Sequence, residues 1–300
     1  MEYITLNDNI KVPPIAIGPA SATYGFKFHS GSNIWDKIIR KAQIHMYCHP
    51  KYKKAVASAI KSGFRFIDYS ASYGNEDIIG SVIRKSGIDR NEFVVTTRIS
   101  NTAQRNHLQK EEFLRSLERF GLDYVDILMF HWPVTDCFIE TYKVMEDLYR
   151  QGLCRAIGVA NCNQHHLQKI LSETTIKPVI NQFEVHPLFS QKELVNFCKR
   201  ENITVQAYTP IARFDDRLMR LPALKKIAAA HSKTPVQVVL RWHIQNGIIP
   251  VIRSLNAKRQ TENLNIFDFQ LSSSEMMIID GFNINSRLRY DPDNCDFSVL

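Results

Sequence analysis

Along most of the chain, short runs rich in β-branched and aromatic residues alternate with stretches whose apolar positions recur three and four residues apart. After an opening segment with a turn at Asn7-Asp8-Asn9, the runs at 14–18, 64–69, 93–99, 124–131, 154–160, 179–185, 204–211 and 248–254 predict eight strands. Between them, 51–62, 76–85, 110–120, 139–150, 164–172, 191–200, 222–232 and 235–245 predict helices, with more at 261–267 and from Ser274 onward. Gly63, Gly87, Gly121, Gly152 and Gly247 stand where helices should stop. Alternating strands and helices imply right-handed βαβ crossovers and a parallel sheet. Eight such units predict an α/β fold, a (β/α)8 TIM barrel, with residues 1–300 forming a single domain. A doubly wound sheet is the competitor, but the chain carries neither GxGxxG nor GxxxxGK[ST] after an early strand.

Residues 22–50 break the alternation, spending about thirty residues where a short βα loop would serve. Within this insertion Ile34, Trp35, Ile38, Ile39 and Ala42 recur at helical spacing after Ser32-Asn33, which suits a helix cap. Its apolar face is expected to pack on the barrel, with a partner surface as the alternative. As part of the first βα loop, the insertion belongs at the C-terminal face, the end where barrels of this kind carry their sites.

The 300 residues are 44% hydrophobic and 23% charged, which suits a globular chain with a sizeable core. Lys and Arg number 38 against 30 Asp and Glu, a formal +8, but read along the chain they look scattered and form no long tract. No nucleic-acid partner is expected on that basis. Nor is a membrane partner, because no apolar stretch approaches the roughly 18 residues of a span. The first residues lack a basic segment followed by an apolar one, and the cysteines at 48, 137, 154, 162, 198 and 295 form no CxxC pair. Reduced thiols and a cytoplasmic location are expected.

Chemistry should gather at the strands' C-terminal ends. RFIDYSASYGNE at 65–76 brings Asp68 to the end of one strand and Tyr73 to the loop beyond it. FVVTTRIS carries Arg98 near the end of the next, and the fourth strand ends in His131-Trp132-Pro133. Any one of these has an ordinary structural use as a cap or a packed ring. An acid, a phenol, a cation and an imidazole on one rim point to function.

These motifs resemble the aldo-keto reductase superfamily over nearly the whole length. FRFIDYSASYGNEDIIG and YVDILMFHWP carry the resemblance, with AIGVAN at 156–161, INQFEVHP at 180–187, QAYTPI at 206–211 and IRSLNAKRQTENLNIFDF at 252–269 following in order. The resemblance implies a catalytic tetrad of Asp68, Tyr73, Arg98 and His131, in which Arg98 occupies the position of the family's usual Lys. It implies hydride delivery from NADPH to a carbonyl carbon and a proton from Tyr73 to the oxygen, with Tyr73, His131 and Trp132 lining the substrate site. A phenol with an ordinary pKa near 10 needs help in acid–base work. In the family an adjacent cation anchored by the Asp lowers the phenol's pKa. Arg98 keeps that charge in a planar fork able to pair with Asp68 bidentately.

The resemblance also implies the cofactor contacts. Asn161 and Gln182 match the carboxamide-binding positions, Tyr208 the ring stacked on the nicotinamide, and Thr209 and Ile211 the start of the pyrophosphate loop. Arg253, Ser254, Arg259, Glu262 and Asn263 match the adenosine end. Three departures stand out: Ala160 replaces a usual Ser, Ala212-Arg213 a usual small residue, and Arg253 a usual Lys. Two arginines beside a hydroxyl, close to a helix expected to start near Thr261, favour NADP over NAD through the 2′-phosphate.

Other features weigh less. His45-Met46-Tyr47-Cys48-His49 brings three metal-ligand types together, but a structural zinc needs four ligands, so no metal is expected. His165-His166 reads as the exposed start of a helix. The favoured function is NADPH-dependent reduction of a small aldehyde or ketone by a monomer or weak dimer. The alternative is an NADP(H)-binding barrel, a sensor or binding module, whose turnover Arg98 has removed. A phosphate-handling isomerase or lyase would need a Lys or carboxylate base in place of Tyr73.

Overall fold

The computed structural model describes residues 3–6, 10–18, 22–23 and 33–297. The expected Asn7-Asp8-Asn9 turn and residues 24–32 of the insertion lie outside them. A short antiparallel pair, β1 (Ile4–Thr5) and β2 (Lys11–Val12), comes first. Eight parallel strands then close into a barrel: β3 (Ala16–Ile17), β4 (Phe66–Asp68), β5 (Val94–Ile99), β6 (Val125–Phe130), β7 (Cys154–Ala160), β8 (Ile180–Glu184), β9 (Thr204–Tyr208) and β10 (Ile248–Ile252). They pair in chain order, and β10 closes on β3. Every barrel strand lies within its predicted run.

The helices are α1 (Ile34–Gln43), α2 (His49–Ser62), α3 (Glu76–Lys85), α4 (Asn101–Arg105), α5 (Gln109–Phe120), α6 (Phe138–Arg150) and α7 (Gln164–Glu173). After these come α8 (Lys192–Arg200), α9 (Asp216–Met219), α10 (Pro222–Ala230), α11 (Pro235–Gln245), α12 (Ala257–Leu264) and α13 (Ser273–Asp280). Gly63 and Gly121 end α2 and α5 in the left-handed region, as their placement predicted. The β1–β2 pair, α4 and α9 were not foreseen, because two to five residues are too few to display a period.

One helix boundary needs correction. The helix expected at 261–267 begins a turn earlier, at Ala257, because the Asn256 side chain accepts the Arg259 N–H at 3.1 Å and sets the cap there. The apolar residues 266 and 267 extended the helical period past its true end, and no capping glycine marks that end.

Two apolar layers hold the barrel. Inside, Phe66, Val94, Ile127, Met129, Ala156 and Ile249 pack together with Leu6, Ile10 and Val12, so the β1–β2 pair plugs the end where the strands begin. Outside, Ile67, Val95, Leu128 and Ile157 pack under the helices. Strands buried on both faces explain why the predicting runs were nearly continuous in apolar residues rather than alternating.

The apolar face of α1 does not pack on the barrel as expected. No residue of α1 is buried, and Ile34, Trp35, Ile38 and Ile39 are 48–69% exposed. A π-helical turn, Ile44–Cys48, joins α1 to α2 as one rod. α2 lays Tyr52, Ala55, Val56, Ala59 and Ile60 on the barrel. A crossover helix starts at the C-terminal rim, so the rod's earlier turns extend beyond the strands they would need for cover.

Candidate active site

Consecutive strands place the four singled-out groups around one opening. Asp68 closes β4, Arg98 lies near the end of β5 and His131 follows β6, while Tyr73 ends a 3-10 turn, Ala71–Tyr73, that leaves β4. Asp68 Oδ1 accepts from Arg98 Nη2 at 2.6 Å, Thr96 Oγ1 at 2.9 Å and Gln182 Nε2 at 3.0 Å. Arg98 Nη2 also donates to Gln182 Oε1 at 2.7 Å, and Nη1 donates to the Tyr69 carbonyl. The expected bidentate pairing is therefore a one-oxygen contact, because Tyr69 claims the fork's second nitrogen. The pair is buried, with side chains 2% and 8% exposed. The Tyr73 ring meets Tyr69 and His131 edge-on, at centroid distances of 5.3 and 6.3 Å.

Electrostatics assign protonation states. Burial pushes the Tyr73 phenol above its ordinary pKa; the Arg98 charge pulls it down and Asp68 pushes it up. Arg98 does lower the phenol as the resemblance implied, but desolvation outweighs it and the net shift is upward. A phenol in that state holds its proton at neutral pH and can donate it. Burial, aided by Arg98 and Arg289, lowers His131 to about 3, so its imidazole is neutral and offers one N–H to an oxygen acceptor.

The same physics sets an acid limit on stability. His131 and His243 both hold pKa values near 3 in the folded protein, chiefly through burial. The unfolded chain protonates them near 6.5, so unfolding takes up protons between these values and stability falls as pH drops through that window. Each histidine should cost about 2 kcal/mol by pH 5. Urea midpoints measured from pH 7.5 to 5 should fall accordingly, and His243→Gln should flatten part of the slope.

Two clefts merge along the rim. One of about 600 Å3 holds Asp68, Tyr73, His131, Trp132, Asn161 and Gln182 at its floor, then Tyr208, Thr209, Ile211 and Arg253 along its wall. The second, about 650 Å3, shares Ile211, Phe214, Ile252 and Arg253 with it and runs on past Ser254, Arg259, Glu262 and Asn263. Every cofactor position named from the sequence thus lies on one continuous trough. Asn161 donates to the His131 carbonyl at 2.8 Å and accepts from Tyr208 Oη at 2.8 Å. Gln182, by contrast, is engaged by Arg98, Asp68 and Gln206. Between the clefts, Thr209, Ala212, Arg213 and Phe214 all take left-handed backbone, with φ from 48° to 62°. Such strain in non-glycine residues concentrates where backbone serves a ligand.

Sequence reasoning missed the tail. Buried Glu184 accepts the backbone N–H groups of Leu288 and Arg289 at 2.8 and 2.9 Å. Burial alone would raise this carboxyl, but bonds from His186 and the tail hold it below its ordinary range. The tail's Arg289 thereby reaches the mouth, and Phe297 comes within 6.4 Å of the Trp132 ring, centroid to centroid. Arg213 and Lys51 join the trough as well. Arg213 was already named from the sequence as a departure in its loop; no motif announces Arg289, Phe297 or Lys51, and only their placement finds them.

The weaker candidates resolve differently. His45 of the π-helical turn and His49, the first residue of α2, stack edge to face at 4.8 Å, while Cys48 points inward and is 1% exposed. His165 is exposed at the start of α7, but the side chain of His166 is only 11% exposed and its Nδ1 accepts the Asn163 N–H. Both imidazoles approach Asp293 of the tail. All six cysteines are free.

A family model described as the aldo/keto reductase family matches residues 47–284. The chain is 42% identical over 241 residues to a 9,11-endoperoxide prostaglandin H2 reductase of Trypanosoma cruzi, covering 80% of this chain and 85% of that protein. It is 40% identical over 244 residues to a glyoxal reductase of Bacillus subtilis, covering 81% and 88%. Among solved structures, an aldo-keto reductase of Bombyx mori in complex with NADP superposes with a TM-score of 0.84 at 32% identity, covering 97% of this chain and 95% of that one. An aldo-keto reductase enzyme from a Medee basin deep-sea metagenome library superposes at 0.85 and 32% identity, covering 98% and 100%. With the closed eight-stranded barrel and its rim in place, these matches settle the family: the chain belongs to the aldo/keto reductase family of oxidoreductases.

Proposed function

We propose that this protein reduces an aldehyde or ketone to an alcohol with NADPH, and that Tyr73 supplies the proton. The continuous trough carries this reading: it joins the Asp68–Tyr73–Arg98–His131 group to a corner holding Arg253, Ser254 and Arg259. A dinucleotide is long and bears phosphates in its middle and at one end, and the residues present suit it. Left-handed backbone at Thr209 and again at 212–214 turns the chain where the pyrophosphate would pass, and two guanidinium groups beside a hydroxyl suit a terminal phosphate. Asn161 and Gln182 would hold the carboxamide, Tyr208 would face the ring, and Glu262 and Asn263 would hold the adenosine. When bound, NADPH supplies the hydride.

The chain's own residues do the rest. Trp132 and the Tyr73 and His131 rings enclose the carbonyl, which accepts the neutral imidazole's N–H and is thereby oriented. Tyr73 then gives its proton to the oxygen as charge develops there. Arg98, anchored on Asp68, stabilises the tyrosinate left behind. Arg289 adds positive charge at the mouth. The expected setting is a monomer or weak dimer in the cytoplasm, where free thiols persist.

A second reading rests on one observation: Arg98 spends its donors on Asp68, Gln182 and Tyr69, and none reaches Tyr73 Oη. It makes the protein an NADP(H)-binding module with little turnover. Loss of NADPH absorbance with a panel of small aldehydes decides between the two. For the cofactor itself, fluorescence titration should show NADPH binding at least about tenfold tighter than NADH, a difference of about 1.4 kcal/mol. Arg259→Ala should remove most of that gap while barely changing NADH binding; equal affinities in the unmutated protein would end the assignment.

A further inference from the structure

The apolar face of α1 continues into a basic groove. Ile38, Ala42, Met46 and Pro50 follow one another at four-residue spacing, and the wider π-helical turn keeps them aligned along the rod. Met46 and Tyr47 are each 65% exposed, like the isoleucines and Trp35 before them. From Pro50 the same side of the rod forms one wall of a cavity of about 660 Å3 between α2 and α3. Its floor is apolar, with Ala57, Ile60 and Val82, and Lys53, Lys54, Lys61, Arg65 and Lys85 surround it.

Charge concentrates in the same place. Residues 33–67 contain eight Lys and Arg and a single acid, Asp36, a surplus of seven within a chain whose whole formal charge is +8. The basic residues that look scattered along the sequence are therefore nearly balanced everywhere else. Asp36 is occupied in the capping box of α1, where its backbone N–H and carboxylate both bond Asn33. The matched family region begins at residue 47, within the π-helical turn that follows α1.

We propose that α1 and the first turns of α2 dock this reductase on an anionic lipid surface. A helix with Ile and Trp on one side and Lys and Arg flanking them lies in the headgroup layer, with its apolar side chains at the acyl boundary and its cations among the phosphates. Indole is favoured at that depth. A nucleic acid would take up the cations and leave the isoleucines in water. A second copy would bring two strongly positive faces together. No helix among the described residues is long and apolar enough to cross a membrane, and surface docking requires none. The membrane-free expectation from composition is revised to that extent. Because Lys51 of α2 lines the outer end of the trough, docking sets that rim beside the bilayer.

The chain carries its own probe. Of three tryptophans, Trp132 and Trp242 are 4% and 2% exposed, while Trp35 is 69% exposed. Mixing the purified full chain with phosphatidylcholine vesicles containing phosphatidylserine should shift Trp35 emission to the blue, allow quenching by brominated lipid and sediment the protein with the vesicles. Pure phosphatidylcholine vesicles should do none of this, and high salt should reverse it. Lys53→Glu with Lys54→Glu should weaken partitioning at least about tenfold. Ile38→Asp with Ile39→Asp should abolish it, and an unchanged NADPH-oxidation rate would certify the fold of both double variants. The proposal is overturned by absent or charge-independent vesicle binding, or by undiminished binding of the Ile38→Asp, Ile39→Asp variant. Heparin binding that matches vesicle binding and ignores the isoleucine substitutions would make the face a polyanion site instead. Salt-stable dimers that shield Trp35 without lipid would make it a contact between copies.

Discussion

Tyr73→Phe should lower carbonyl turnover by about a thousandfold while leaving cofactor binding nearly intact. The substitution removes one oxygen and keeps the ring, so the edge-on contacts with Tyr69 and His131 survive. What is lost is the proton that burial keeps on the phenol at neutral pH. Positioned proton transfer contributes about a hundredfold to ten-thousandfold, and His131, neutral until about pH 3, does not supply the missing proton. Single-turnover rates and NADPH fluorescence titration on the same samples separate the two effects. Turnover that survives in the Phe variant would show that the proton comes from elsewhere.

Arg98→Met should cost at least about a hundredfold in turnover and also destabilise the fold. The guanidinium balances Asp68 in a setting where Asp68 is 6% exposed, and removing one partner of a buried pair typically costs about 3–5 kcal/mol. Denaturant midpoints therefore accompany the kinetics, so that loss of folded protein is not mistaken for loss of catalysis. Arg98→Lys restores the charge, and with it both stability and activity should be kept or raised. An ammonium is a point charge rather than a fork, which loosens the hold on Gln182 and the Tyr69 carbonyl. If the Lys variant turns over substrate that the natural protein leaves untouched, the binding-module reading prevails. If the Met variant matches the natural enzyme, the cation has no part in the chemistry.

The barrel and its rim were legible in the order of residues because both depend on local or strictly periodic signals. Strands buried on two faces must be written as continuous apolar runs, as in residues 125–130, and crossover helices as amphipathic stretches ending near glycine. Parallel strands then place their C-terminal residues on one rim, so Asp68, Arg98 and His131 come together with no long-range information beyond the fold. The trough residues were named through the resemblance, and Arg259, Glu262 and Asn263 among them lie on α12 rather than at a strand end.

Three features were not written locally. The tail passes over the mouth because Glu184, more than a hundred residues earlier, accepts the Leu288 and Arg289 N–H groups; neither end of that link has meaning without the other. Tyr73 has a raised pKa because burial outweighs a neighbouring cation, and desolvation is a property of the surrounding atoms rather than of any motif. The apolar period of α1 was plain in the residues, but whether that face meets the barrel or water depends on where the rod points. Periodicity specifies which side of a helix is apolar; the partner it finds is a matter of long-range geometry, and here the barrel ends before α1 begins.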